Sequence, residues 1–323
     1  MRIQLLIATT LAALSGACTS TWNCDPDTET FKVDAVLSEA DVTTLVSDYG
    51  ATDRSEITCD SACSYAYGRD REWSVQEQSA CTLSIAPTPG ATPETEVGSV
   101  QCEGNGIEYF CEGRRPLGHV PLRGNCSSLA DFLSHCAHLE AASVVAFEQI
   151  AEVLTAVQAP ALLIERCRRA ADDERRHATL ARALARRHGA EPIAPEQRPI
   201  TPTLAAIALD NAREGCVLET WSALRAAWLA DHAEDPELRS LYTSLAGDEG
   251  QHAELSWDLH AWLLGQVDES TAAIAKTTLI AALQALPALA QAQARQSPQS
   301  LGMCPATAHR LATHFADKLA HAA

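Results

Sequence analysis

Asp173-Glu174-Arg175-Arg176-His177-Ala178 and Asp248-Glu249-Gly250-Gln251-His252-Ala253 are two copies of one pattern, D-E-x-x-H-A. On an α-helix, residues three apart lie on one face, about one turn along. Each copy therefore points a carboxylate and an imidazole in the same direction. That combination is half of a metal site.

The repetition extends upstream. Leu139-Glu140-Ala141-Ala142-Ser143 precedes the first copy and Leu218-Glu219-Thr220-Trp221-Ser222 precedes the second, both reading L-E-x-x-S. Between each pair stands a proline followed by x-Leu, at Pro160-Ala161-Leu162 and Pro236-Glu237-Leu238. The chain thus carries two helical hairpins of one design, each with a lone Glu on its first helix and an E-x-x-H on its second. Such duplication marks one unit used twice.

This pattern resembles the ferritin-like di-iron carboxylate superfamily, on its rubrerythrin side, over residues 127–264. The resemblance implies a ferritin-like four-helix bundle binding two Fe ions, or Mn and Fe, with oxidoreductase chemistry toward O2 or peroxide. It maps the metal ligands onto Glu140, Glu174, His177, Glu219, Glu249 and His252. In that mapping Glu174 and Glu249 bridge or flank the metals, Glu140 and Glu219 are terminal or bidentate, and each histidine holds one ion. No C-x-x-C pair like a rubredoxin iron site is present, so no built-in electron donor is visible.

Helix height supports the same residues independently. With turns near Ala159 and Asp235, each Glu/His midpoint lies about 16 residues on, facing positions near 142 and 219. Glu140 and Glu219 fit those levels; Glu148 and Glu214 are second choices. Four carboxylates facing one core repel, at a cost of roughly several kcal/mol each, unless cations are present. Oxygen-rich ligation with few imidazoles suits Fe or Mn better than Zn or Cu.

The start of the chain reads as an export signal, residues 1–17, with Arg2 followed by a largely apolar run from Ile3 to Leu14. Leu14-Ser15-Gly16-Ala17-Cys18 resembles a bacterial lipobox, with Cys18 as the acylated residue. No later run offers about 20 uncharged apolar residues, so the lipid is the expected membrane anchor and the expected location is the cell envelope. Twelve cysteines agree with an oxidising compartment. Setting Cys18 aside leaves eleven, an odd number. A net charge of −18 argues against nucleic acid as a partner.

Residues 18–115 form the expected cysteine-rich module, whose own protein partner the sequence does not name. Cys24, Cys59, Cys63, Cys81, Cys102 and Cys111 fall there. Asn105-Gly106, between two alternating runs, predicts a hairpin turn, and residues 34–48 predict a short helix. Cys59 and Cys63 are expected in disulfides, because their spacing is not C-x-x-C and no histidine stands near. The expected fold class is mainly α: a ferritin-like four-helix bundle over 127–264 with extra C-terminal helices over 265–323, preceded by a small disulfide-rich α+β module. Asp235-Pro236 signals a helix start and His188-Gly189 a helix end. Four prolines mark residues 191–203 as the crossover between hairpins. Helices are expected over about 270–294, with Pro287 kinking or breaking the first, and about 306–319.

Several residues near the motifs have plainer readings. His135 and His138 are expected as solvated helix residues, Cys136, Cys167 and Cys216 as buried thiols or disulfides, and Tyr242 as a core residue. Arg168, Arg169, Arg175 and Arg176 read as a solvated face paired with acids. Three functions compete: an envelope di-iron oxidoreductase, a metal-binding protein without turnover, and a metal-free structural or protein-binding lipoprotein with a relic bundle.

Overall fold

The computed structural model describes residues 3–13, 29–48, 53–68, 73–86, 89–108, 113–120, 122, 128–297 and 303–321. Cys18, Cys24, Cys111 and Cys126 lie outside them. The chain forms two units: Pro26–Tyr109 with Arg123–Asn125, and Met1–Asp25 with Phe110–Leu122 and Cys126–Ala323. The larger unit, to which α1 (Ile3–Ala13) belongs, is helical.

In the smaller unit, β1 (Glu29–Ser38), α2 (Glu39–Asp48), α3 (Cys59–Gly68), β2 (Trp73–Ile85) and β3 (Glu96–Glu108) make an antiparallel sheet in the order β1-β3-β2, with two helices. Leu37, Leu45, Ala62 and Val100 fill its core. Disulfides Cys59–Cys81 and Cys63–Cys102 tie α3 to β2 and β3. The C-x-x-x-C spacing now has a cause. Cys59 and Cys63 are one helical turn apart, and Cys81 and Cys102 are cross-strand neighbours in register. Two pairs with similar separations can be joined side by side.

Two expectations are corrected here. Asn105-Gly106 is not a turn: it lies inside β3, opposite Thr30 and Glu29 on one side and Glu77 and Val75 on the other. The β2–β3 connection instead spans residues 86–95, where Pro89 and Pro93 cannot donate to a ladder and Gly90 adopts φ 79°. The helix begins at Glu39, not Asp34, because residues 34–38 pair with β3.

The larger unit continues with β4 (His119–Val120), α4 (Leu129–Ala156), α5 (Ala161–Arg187), β5 (Glu196–Gln197), α6 (Leu204–Asp210), a π-helical segment (Asn211–Glu219), α7 (Thr220–His232), α8 (Pro236–Leu263), α9 (Glu269–Gln296) and α10 (Pro305–Ala320). The starts are capped: Ser128, Thr203, Asp235 and Asp268 accept backbone N–H groups, and Pro236 takes the first helical position. Gly189, at φ 88°, follows the end of α5.

Short turns fold α4 back on α5 and α7 back on α8, and α5–α8 contacts join the hairpins into a four-helix bundle. Helix α10 packs on α9, and α9 on α6 and the π segment. Ile3 and Ile7 of α1 enter the same core as Trp221 and Phe315. Between the hairpins, β5 pairs with β4 in the crossover. Helix α9 runs through Pro287 without a break. It departs from expectation in one respect: by length and composition it is apolar enough to cross a membrane, with a mean hydropathy of 1.5. Its Leu279, Leu283 and Leu286 are buried in the core.

Candidate metal centre

Along α4, α5 and α8 one polar level separates two apolar clusters. Leu139, Leu184 and Tyr242 belong to one cluster, and Phe147, Ala171 and Leu255 to the other. At that level stand Glu140, Glu174, His177, Glu249 and His252, and Glu219 joins them from the π segment. All six are buried.

Their reactive atoms form two groups. Glu140, Glu174, His177 and Glu249 each offer an atom within 4.8 Å of the others, as do Glu219, Glu249 and His252. His177 Nδ1 lies 3.4 Å from Glu140, 3.7 Å from Glu174 and 3.2 Å from Glu249. His252 Nδ1 lies 3.0 Å from Glu174, and its ring centroid is 5.9 Å from that of His177. Phe147 packs against His252 at 5.2 Å.

The opposite ring nitrogens point outward. His177 Nε2 meets Asp248 Oδ2 at 3.3 Å, and His252 Nε2 meets Asp173 Oδ2 at 3.6 Å. Each histidine thus faces the Asp of the other D-E-x-x-H copy. Both aspartates stood in the opening motif, but nothing in the sequence assigned them a partner across the bundle. Arg176 pairs with both, and its exposure agrees with the solvated face expected for it.

The electrostatics are those of crowded like charges. Burial first, then Glu174, pushes Glu140 well above the usual carboxylate range. Burial, then Glu249 and Glu174, does the same to Glu219. At Glu174 burial also pushes upward, but His177 and His252 together outweigh it and hold the group low. Burial pushes both histidines down, and their carboxylate neighbours more than reverse it. Despite these short approaches, both oxygens of Glu174, Glu219 and Glu249 and Nδ1 of both histidines make no directed hydrogen bond. Buried polar atoms are ordinarily satisfied. Convergent, unsatisfied donor atoms of four carboxylates and two imidazoles fit a cation, and this cluster could hold a metal ion.

The second-choice carboxylates are elsewhere. Glu148 is exposed and pairs with Arg175, since it lies on the outer face of α4. Glu214 is buried but engaged: Arg115 Nε and Nη2 donate to its two oxygens, each at 2.9 Å. The π segment explains why both Glu214 and Glu219 are inside. With i→i+5 hydrogen bonding, residues five apart come nearly onto one face, which an α-helix would not allow.

His135 and His138 are corrected: they are buried rather than solvated, and neither joins the cluster. His138 Nδ1 contacts the Ile193 carbonyl at 3.0 Å, so the crossover covers it. Cys136, Cys167 and Cys216 are buried, with burial raising the Cys167 thiol to about 12. Tyr242 is in the core, as expected.

One participant escaped the sequence reading altogether. Arg114 is 1 % exposed, and its guanidinium donates to Asp210 at 2.8 Å and Asn211 at 2.9 Å, 5.9 Å from the Phe147 ring centroid. Ser143 of the first L-E-x-x-S donates to the Arg114 carbonyl at 3.0 Å. Gly113 precedes it at φ 123°, where a Cβ would sit 2.8 Å from Ser143 Oγ. Gln149 then grips Leu117 through both N–H (3.0 Å) and C=O (3.1 Å).

No protein-family model, no curated protein and no solved structure matches the chain.

Proposed function

We propose that this protein is an exported, lipid-anchored oxidoreductase of the ferritin-like type, binding two Fe ions, or Mn and Fe, at Glu140, Glu174, His177, Glu219, Glu249 and His252. The observation that carries the reading is the set of buried carboxylate and imidazole atoms that converge on one level without hydrogen-bond partners. Uncompensated, such a layer destabilises a bundle; two divalent cations would neutralise it. Two disulfides in the smaller unit suit an extracytoplasmic location. The apolar α1 followed by Cys18 supports export and anchoring.

Bound iron or manganese would supply paired one-electron changes toward O2 or peroxide. The chain's own contribution is positional. Glu249, common to both groups, suits a bridging role. Asp248, hydrogen-bonded to His177 Nε2, helps fix that ring so that Nδ1 faces the cluster, while Asp173 lies 3.6 Å from His252 Nε2 without a hydrogen bond. The apolar clusters on either side exclude water. Fold-level analogy does not choose the substrate.

Anaerobic loading with Fe2+ followed by air, watched in the near ultraviolet, tests this directly. Two ions per chain and an oxygen-dependent absorption change are expected. Saturable loading without any change on exposure to air would leave a metal-binding protein without turnover. Absence of saturable binding would leave the structural lipoprotein.

A further inference from the structure

None of the six clustered side chains is more than 2 % exposed, so an ion has to reach them through the layers around them. Along the bundle stand two apolar clusters, which offer a hydrated cation no ligand. On the side of α4 and the π segment, residues 114–117 bridge the two elements, through Ser143 and Gln149 on one and Asn211 and Glu214 on the other. The seam between α5 and α8 is different. Asp173 and Asp248 stand there with 24 % and 22 % of their side chains exposed.

These two aspartates come from opposite hairpins and meet at one cation. Arg176 Nη2 faces Asp173 Oδ1 at 3.6 Å and pairs with Asp248 Oδ2. The arginine side chain is 44 % exposed, so nothing encloses it on the solvent side. Behind the aspartates stand the histidines. Asp248 Oδ2 is 3.3 Å from His177 Nε2, and Asp173 Oδ2 is 3.6 Å from His252 Nε2. That His252 nitrogen is aimed at the seam from a ring only 2 % exposed, yet it makes no hydrogen bond. Nδ1 of both rings faces the cluster. Only the imidazole rings therefore separate the aspartate layer from the six clustered groups.

We infer that Asp173 and Asp248 form an entry site for the cluster: a solvent-facing station that takes a hydrated divalent cation, with Arg176 as the gate that holds the station until the ion displaces it. Two carboxylates that share one seam repel, and the guanidinium supplies the positive charge between them. An incoming dication is drawn to the same oxygens with twice that charge, and a partly exposed pair lets it keep most of its water. The arginine gives way toward solvent and returns once the ion has moved inward to the deeper ligands. Asp173 suits this station better than the support of His252, to which it makes no hydrogen bond.

The inference rests on the metal-binding reading above, and kinetics separates their failures. Full-length protein with its disulfides intact is stripped of metal and mixed rapidly and anaerobically with Mn2+. Loss of the free ion's electron paramagnetic resonance signal gives the loading rate, transfer to excess EDTA the release rate, and titration the dissociation constant. Arg176→Gln should speed loading and release alike by about tenfold and leave the dissociation constant as it was, because a gate alters the path and not the end state. Asp173→Asn should slow loading by about tenfold at low ionic strength, and added salt should shrink the difference. Residues that only support the histidines would instead change release and affinity with loading untouched. Both side chains reach solvent, so both variants should fold. An unchanged loading rate in either variant, or an Arg176→Gln effect confined to release, overturns the inference while metal binding stands. Absence of saturable Mn2+ binding in the wild-type protein defeats the metal reading itself.

Discussion

His177 Nε2 lies 3.3 Å from Asp248 Oδ2 on the other hairpin, and His252 Nε2 lies 3.6 Å from Asp173 Oδ2 in return. A carboxylate on one ring nitrogen fixes the ring and makes the other nitrogen a better donor. Asp248→Asn should therefore weaken metal binding by about 10–100-fold with the fold intact. Asp173 lies 3.6 Å from His252 Nε2 without a hydrogen bond, so Asp173→Asn should weaken binding less than Asp248→Asn. Mn2+ titration of the two variants checks this; wild-type affinity in both would show the contacts to be incidental.

Glu249 is common to both groups of ligand atoms. Glu249→Gln should cost both ions, whereas Glu148→Gln should cost none, because Glu148 is on the surface with Arg175. Metal analysis by mass spectrometry after desalting measures each stoichiometry. Retention of one ion in Glu249→Gln would place that residue at a single position.

Metal uptake should release protons and strengthen as pH rises. Glu140 and Glu219 have folded values raised well above 4.5, so the metal-free protein carries protons that a cation displaces. The same shifts set metal-free stability. Raised groups favour the fold at low pH, and that contribution is lost as pH climbs from the ordinary value through the raised one. Glu174 works oppositely: held low, it stabilises above the ordinary 4.5 and loses that effect as pH falls toward its depressed value. Calorimetric titrations in buffers of different ionisation enthalpy count the protons. A count of zero near neutrality refutes the coupling.

The Cys167 and Cys216 thiols should be inert in the native protein. Both are buried, and desolvation raises each, Cys167 to about 12. At pH 8 a thiol-specific reagent should label them only after unfolding. Rapid native labelling at either position would mean that the helices open there.

Non-reducing peptide mapping should recover Cys59–Cys81 and Cys63–Cys102. In the chain-entropy account each closes a loop whose removal costs about 3 to 4 kcal/mol. Replacing Cys63 and Cys102 together by alanine should lower the melting temperature of the smaller unit; an unchanged melt would mean that the sheet's apolar core suffices.

The motifs showed the four-helix bundle and brought together the six clustered side chains, because a repeat of chemically matched residues is visible in one dimension. What lay across the bundle was not. Asp173 and Asp248 stood inside the quoted pattern, yet their contacts are 79 and 71 residues away in sequence, counted from His252 and His177. Arg114 meets Asn211 across 97 residues, and no motif in the sequence marks it. His135 and His138 are polar by type, which suggests solvation, but both are buried, His138 beneath the crossover. Asn105-Gly106 has the composition of a turn, but pairing with β1 and β2 on both sides overrode that preference.

The exchange of aspartates between hairpins has a consequence for symmetry. Neither hairpin is self-sufficient, and two identical single-hairpin chains related by a twofold axis would present the same reciprocal pairs. Such a homodimer would have to offer every other neighbour twice as well. In one continuous polypeptide that obligation lapses. Arg175-Arg176 stands in one copy where Gly250-Gln251 stands in the other, and Arg114 pairs with Asp210 and Asn211, at the start of the segment that carries Glu219. Fusion lets a twofold scaffold hold two different neighbours, which two equal halves could never do.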